Sequence, residues 1–304
     1  MTDGGMVVEH LVSWSFFAIA VHDDEPSSVA GGYTYRSGLL LQLMAFSLTD
    51  QLWLWAGYRT AEGKYYGTVA RINAWDLKLK PGQISSSVMW LSSDGNNNQI
   101  MAAGFQISPD AYNDTDLHFF VSWTADGFNS TGCLNTQCQG FVSSTPAASI
   151  SPGSTVAQPS VYHGKQADFT ITILKDVGAR KWSLYVDVSG TKQELVGHFP
   201  ASLFTGLLAD HATEVSWGGN AWSSASAGAA PPMGSGHGPG QGLGGSAYIA
   251  SIGVFDAGGN SSTPAAANVT SLTDAKECYD ASVFQVTNDD GAFFYYGGPN
   301  GCDH

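Results

Sequence analysis

Positive charge is what this chain has least of. Lys plus Arg number 12 in 304 residues against 26 Asp plus Glu, a formal net charge of −14. Such a surface repels phosphate backbones and anionic bilayers, so nucleic acid and membrane are not expected partners. Long apolar runs are missing as well. Leu11 to Val21 and Leu39 to Leu48 are both too short for a helix crossing a bilayer, which takes about 20 apolar residues. Cysteine is scarce, with four in the chain, and neither Cys133 and Cys138 nor Cys278 and Cys302 has the two-residue gap of a zinc ribbon. No His-Glu-x-x-His pattern and no Gly-x-Ser-x-Gly elbow occurs, and Gly234-Ser-Gly-His-Gly reads as a turn in a glycine-rich run. A zinc enzyme and a Ser–His hydrolase are therefore disfavoured, and no metal or organic cofactor is expected.

What remains is apolar, small and turn-rich. Hydrophobic residues make up 43% and charged ones 12%, with 37 Gly and 12 Pro, a composition that suits a β-protein of the secretory route. Four cysteines admit three pairings, and nearest-neighbour bridging of Cys133 with Cys138 and Cys278 with Cys302 is expected. Sequons at Asn113, Asn129, Asn260 and Asn268 point to the same extracellular or cell-wall destination. The N-terminal signal is weak: Ala18-Ile-Ala20 resembles a cleavage site, but no Lys or Arg precedes the apolar run. Residues 1 to 50 are thus read as a leader or a poorly defined segment, and 51 to 304 as one domain.

Short apolar segments separated by turn residues predict an all-β, antiparallel sandwich of roughly eleven strands. They are Tyr65–Trp75, Ser85–Leu91, Gln99–Ile107, Leu117–Trp123, Gln139–Val142, Phe169–Leu174, Trp182–Val188, Glu194–Phe199, Thr213–Gly219, Ala247–Phe255 and Val283–Tyr296. One short helix is expected at Pro200 to Leu208, where Leu203, Leu207 and Leu208 would share a face. Ala225 to Gly245 is a Gly-rich stretch, read as a mobile surface loop or a lid over Trp217-Gly-Gly.

Carboxylate catalysis needs one protonated and one ionised acid brought together. Asp110, Asp114, Asp116, Asp126, Asp210 and Glu214 are available, most of them in Asx-rich turns where they would cap backbone. Glu214, Ser216 and Asn220 would share one face of an extended strand.

The series Tyr65-Tyr-Gly-Thr, Ile72-Asn-Ala-Trp75, Ala103-Gly-Phe-Gln-Ile-Ser-Pro109, Thr131-Gly-Cys with Cys138-Gln-Gly-Phe, Ser216-Trp-Gly-Gly, Met233-Gly-Ser-Gly-His237 and Phe294-Tyr-Tyr-Gly-Gly-Pro299 resembles the neprosin family. The likeness runs from about Tyr58 to His304. It implies a secreted plant protein with a glutamic-peptidase-like β-sandwich, related to endopeptidases that cut after proline with two glutamates and no cofactor. The family's first glutamate directly precedes the Ala-Gly-aromatic-Gln motif, where this chain has Ala102. The second directly follows Trp-Gly-Gly, where it has Asn220. Neither side chain moves protons, so the resemblance implies an impaired peptidase that keeps a cleft for extended or Pro-rich peptide. Phe105, Ser216, Trp217, Gly218 and Gly219 are expected to line that cleft. The alternatives are an active enzyme with Glu214 as substitute acid, and a glycosylated structural or lectin-like module.

Overall fold

The computed structural model describes residues 51–93, 98–188, 190, 192–288 and 290–299. Both N-terminal apolar runs, the proposed leader and Cys302 lie outside the described residues.

In chain order the strands are β1 Gln51–Thr60, β2 Gly67–Asn73, β3 Gln83–Ser93, β4 Gln99–Ile107, β5 His118–Thr124, β6 Cys133–Leu134, β7 Val142–Ser143 and β8 Asp168–Asp176. They continue with β9 Lys181–Asp187, β10 Glu194–Pro200, β11 Glu214–Ser224, β12 Ala247–Phe255, β13 Ser261–Ser262, β14 Val269–Thr273, β15 Asp280–Ala281, β16 Gln285–Thr287 and β17 Gly291–Gly297. One sheet runs β14-β1-β11-β3-β4-β5-β6, and the other β15-β17-β12-β2-β8-β9-β10-β7. All the paired strands are antiparallel, as the sequence predicts.

Two apolar clusters result. The larger lies between the sheets and takes Phe105, Phe119, Phe169, Trp182, Trp217 and Phe294. The smaller lies on the outer face of the first sheet, around Val88, Trp90, Ile100, Ala102, Phe120 and Leu134. Strands β3, β4 and β5 are consequently buried on both faces. This hides the polar/apolar alternation of an ordinary half-exposed strand.

Glycines shape that sheet. A Cβ on Gly104 would sit 2.1 Å from the Ser87 carbonyl oxygen, one on Gly57 2.1 Å from the Trp217 oxygen, and one on Gly218 2.4 Å from the Ala56 oxygen. The three lie in one register row, Gly57–Gly218–Val88–Gly104–Phe120, so adjacent strands approach closely where side chains are absent.

Several expectations need correction. Five strands escaped the sequence reading, β1 and β14 together with the two-residue β6, β13 and β15, and the expected Val283–Tyr296 strand is broken into β16 and β17. Pro200 to Leu208 is not a helix: Pro200 ends β10, and Ala201–Leu203 and Leu207–Ala209 are separate 3-10 turns. Phe204 is extended between them and packs edge-on against Trp123. The second turn is pinned from the sheet, its Leu208 carbonyl accepting Trp182 Nε1 at 2.9 Å and its Ala209 carbonyl accepting Lys175 Nζ at 2.5 Å. Sheet packing outweighs local helix preference in so short a stretch. The α-helix that does form, α1 at Pro109–Tyr112, starts on a proline and ends on left-handed Asn113.

The Gly-rich stretch is not a lid. Ala230 and Met233 are core residues, and Met233 exchanges two backbone hydrogen bonds with Gly298 at 3.0 and 3.2 Å. A Cβ on Gly219 would lie 2.8 Å from the Met233 side chain, so this loop braces β11 from between the sheets. Cys133 and Cys138 are bridged, with Cα atoms 5.9 Å apart. Cys278 is also disulfide-bonded. No helix among the described residues is long and apolar enough to cross a membrane.

The loop after β5 is organised by Asp126, which accepts hydrogen bonds from the backbone N–H and hydroxyl of both Ser130 and Thr131 at 2.5–3.1 Å. Partial burial alone would raise its pKa; these bonds outweigh it and hold the carboxyl at about 2, against an ordinary 3.8. A depressed folded pKa stabilises the fold above the unfolded value and is lost as pH falls through the folded one. Asp126→Asn should therefore lower the denaturation midpoint at neutral pH, with the difference from the parent shrinking between pH 3.8 and about 2. Gly104→Ala should cost about 1–3 kcal/mol in a denaturant titration, since the added methyl meets backbone that must shift.

Candidate functional site

The outer face of the first sheet holds a shallow cleft of about 30 Å³ that opens on solvent. Strand register sets its floor in rows. Trp55, Asn220, Ser86, Gln106 and His118 pair in succession across five strands. The glycine row lies next along the strands. Beyond it come Arg59, Ser216, Trp90, Ala102 and Ser122. Ala102 and Asn220 are thus diagonal to each other across the glycine row, and both line the cleft at 7% and 8% exposure.

One wall is aromatic. Trp55 and Trp90 have ring centroids 4.8 Å apart and planes inclined at 52°. Trp53 stacks on Trp55 at 6.4 Å and touches Trp222 at 5.9 Å. Trp53 and Trp55 come from β1, a strand the sequence reading omitted. The signal was present in Trp53-Leu-Trp55, but both faces of β1 are apolar and no alternation marks it.

The polar groups of the lining are Ser86, Gln106, Ser122 and Asn220, all neutral. Gln106 Nε2 donates to Ser86 Oγ at 3.2 Å. Behind it Tyr112 stacks on His118 at 3.9 Å with nearly parallel rings. His118 Nε2 faces Asp114 Oδ1 at 2.8 Å and Nδ1 faces the Gly153 carbonyl at 2.9 Å. Burial of Asp114 acts to raise its pKa, and the His118 hydrogen bond with that from the Asp116 backbone overturns this to a net lowering. Burial raises the Tyr112 phenol far above its ordinary value. These groups buttress the cleft and do not line it.

Asn220 Oδ1 is buried and has no hydrogen-bond partner, and the same holds for Trp222 Nε1 two residues along β11.

The proposed substitute acid lies elsewhere. Glu214 is six residues from Asn220 on an extended strand, about 20 Å away at the usual rise. Its carboxylate pairs with Arg59 Nη1 at 3.6 Å and accepts Ser216 Oγ at 3.3 Å. It does not line the cleft, and neither does any other carboxylate. Asp274, beside Trp55 at the end of β14, has its pKa raised by burial, but its Oδ2 accepts the Trp55 backbone N–H at 3.1 Å.

Phe105 and Trp217 also need correction. Odd-numbered positions of β4 and β11 face the other sheet, so both rings are in the main core. Phe105 packs on Phe169 at 4.8 Å, and Trp217 Nε1 donates to Thr68 Oγ1 at 3.0 Å. Gly219 likewise faces the core, against Met233 and Tyr296. Ser216 and Gly218 share the parity of Asn220 and lie on the cleft face, though neither lines the cavity itself. Asn113, Asn129, Asn260 and Asn268 are all exposed. Among the described residues no group of three or more His, Cys, Asp or Glu is placed to hold a metal ion.

Fold and cleft together define an all-β sandwich protein with a cleft on the outer face of one sheet. Residues 81–299 match the model of the family described as Neprosin, more than half of the chain, and the chain belongs to the neprosin family. Similar solved structures include scytalido-glutamic peptidase with a transition-state analogue inhibitor, 9% identical at a TM-score of 0.41 over 80% of this chain and 97% of that one. The same peptidase with a peptide-based transition-state analogue is 8% identical at 0.43, covering 80% and 97%. SCP-B, a member of the eqolisin family of peptidases bound to the tripeptide Ala-Ile-His, is 8% identical at 0.41, covering 80% and 96%.

An unpaired buried acceptor costs roughly 1–3 kcal/mol. Asn220→Ala removes one and leaves the backbone ladder intact, so its denaturation midpoint should be no lower than the parent's. A clear drop would assign Asn220 a structural partner.

Proposed function

We propose that this chain is a secreted neprosin-family protein that binds an extended peptide, such as a Pro-rich segment of a cell-wall glycoprotein, in the sheet cleft without cutting it. The observation that carries the reading is the absence of any titratable group from the cleft lining. Peptide hydrolysis by paired acids needs one group to deprotonate water and another to protonate the leaving amine. At the two positions where the family implies glutamates stand a methyl group and a neutral amide, neither of which performs either step. Each missing acid or base is worth about 10²–10⁴ in rate.

The cleft itself is intact in form. Its aromatic wall, its neutral hydrogen-bonding groups and the glycine row between positions 102 and 220 leave room for a chain to lie across the sheet. Four exposed sequons and the Cys133–Cys138 bridge support a secretory route.

The test is a cleavage profile of proline-containing peptides from pH 3 to 7, roughly the range over which carboxylates titrate. The parent and Glu214→Gln should both be inactive while still binding the uncut peptides by calorimetry. Ala102→Glu combined with Asn220→Glu should gain acid-dependent cleavage, because two long carboxylates would approach each other across Val88, the row between them being glycine on β11 and β4. Cleavage by the parent that disappears in Glu214→Gln would establish the active alternative instead.

A further inference from the structure

We infer that the cleft is a subsite for an uncharged pyranose ring, so that the ligand it prefers is a glycosylated peptide segment and not the bare chain. This rests on the reading of the cleft as a site that binds without cutting.

The way a bare peptide is usually held on β-structure is closed here. Strand addition uses free main-chain groups at a sheet edge. The cleft lies on the face of a seven-stranded sheet whose central strands are paired on both sides, so their backbone groups are already consumed. Recognition must come from side chains standing on that face.

Those side chains suit a sugar. Trp55 and Trp90 present flat, inclined π-faces at 4.8 Å, and Phe120 closes the far side. The negative face of an indole attracts the weakly positive C–H face of a pyranose ring. Beside these plates stand only hydroxyl and amide groups, Ser86, Ser122, Gln106 and Asn220. Hydroxyls and amides both donate and accept, and so does every hydroxyl of a sugar.

Asn220 marks where the ring would be held. It is 8% exposed, lines the cleft, and its Oδ1 is without a partner. Trp222 Nε1, on the same face of β11, is an unmatched donor. A ligand hydroxyl supplies a donor to Asn220 Oδ1; Trp222 is not among the residues that line the cleft. The lining holds no cation and the chain carries −14, so an acidic sugar gains no partner and meets an unfavourable field.

The experiment uses one uncharged extended peptide in several forms: bare, O-linked at its central serine to glucose, galactose or xylose, and linked to glucuronic acid. Each is titrated into the parent protein by tryptophan fluorescence and calorimetry. At least one neutral glycopeptide should bind about tenfold or more tighter than the bare peptide. The matching free methyl glycoside should compete, and the glucuronic acid form should show no such gain. Asn220→Ala should bring the glycopeptide back to the bare peptide's affinity, and Ala102→Leu, which fills the cleft floor, should abolish binding of both. Retained circular dichroism and denaturation midpoints show that the variants fold. Bare and glycosylated forms binding alike, with Asn220→Ala without effect, would overturn the sugar subsite and leave peptide binding standing. A glucuronic acid form that binds as tightly as the neutral ones overturns the restriction to neutral rings. No binding by any form overturns both this inference and the binding function on which it rests.

Discussion

The close backbone approach at Gly57, Gly218 and Gly104 is the constraint on which the rest of the site depends. Three strands contribute a residue without a side chain to the same register row, and in each case a Cβ would fall within 2.1–2.4 Å of a neighbouring carbonyl oxygen. Packing of this kind does two things at once. It lets neighbouring strands close up along one line, and it leaves that line of the outer face to Val88 and Phe120. The rows on either side can then turn large side chains over a floor lowered at the three glycines, so that Trp55 with Asn220 on one side and Trp90 with Ala102 on the other border one cleft. On the inner face of β11, Met233 and Tyr296 press on Gly219, so the strand cannot slip a residue without driving Trp217 out of the core.

The strand rule that made this legible in the sequence was only partly used. Alternation puts Glu214, Ser216 and Asn220 on one face of β11, and by the same rule it puts Trp217 on the other. The ring next to Gly218 therefore belongs to the core, however close it lies to position 220 in the chain. Phe105 stands in the same relation to Ala102. The resemblance to the neprosin family located the two cleft positions, since its motifs place glutamates there. It did not locate the aromatic wall. Trp53 and Trp55 lie in a strand apolar on both faces, and which strand borders β11 is a long-range property that no local pattern encodes. The helix expected after Pro200 failed for a related reason: Trp182 and Lys175, distant in sequence, take the carbonyls of that segment.

The polar part of the cleft is supported from behind by charges that never reach it. His118, doubly hydrogen-bonded between Asp114 and the Gly153 carbonyl, lies at the end of the row that contains Asn220 and Gln106, with Tyr112 stacked over it. Keeping His118 and Asp114 outside the cleft and amides within it gives fixed hydrogen-bonding geometry without a titratable surface.

On the proposed reading, in which positions 102 and 220 stand where the family implies glutamates, the low-dielectric setting accounts for the change of both. A carboxylate buried among indoles is costly when ionised, and it is tolerated in an acid pair because one member can hold the proton while the other carries the charge. Once position 102 is a methyl group, a glutamate at 220 loses the neighbour that made its charge useful and keeps the full desolvation penalty. Asparagine retains a hydrogen-bonding oxygen there and discards the charge. Its remaining cost, an acceptor with nothing to accept from, is smaller and is of a kind that a bound hydroxyl or amide can remove. On that reading, burial works against keeping a single acid at either position, and neutral side chains at both are the arrangement with the lower desolvation cost.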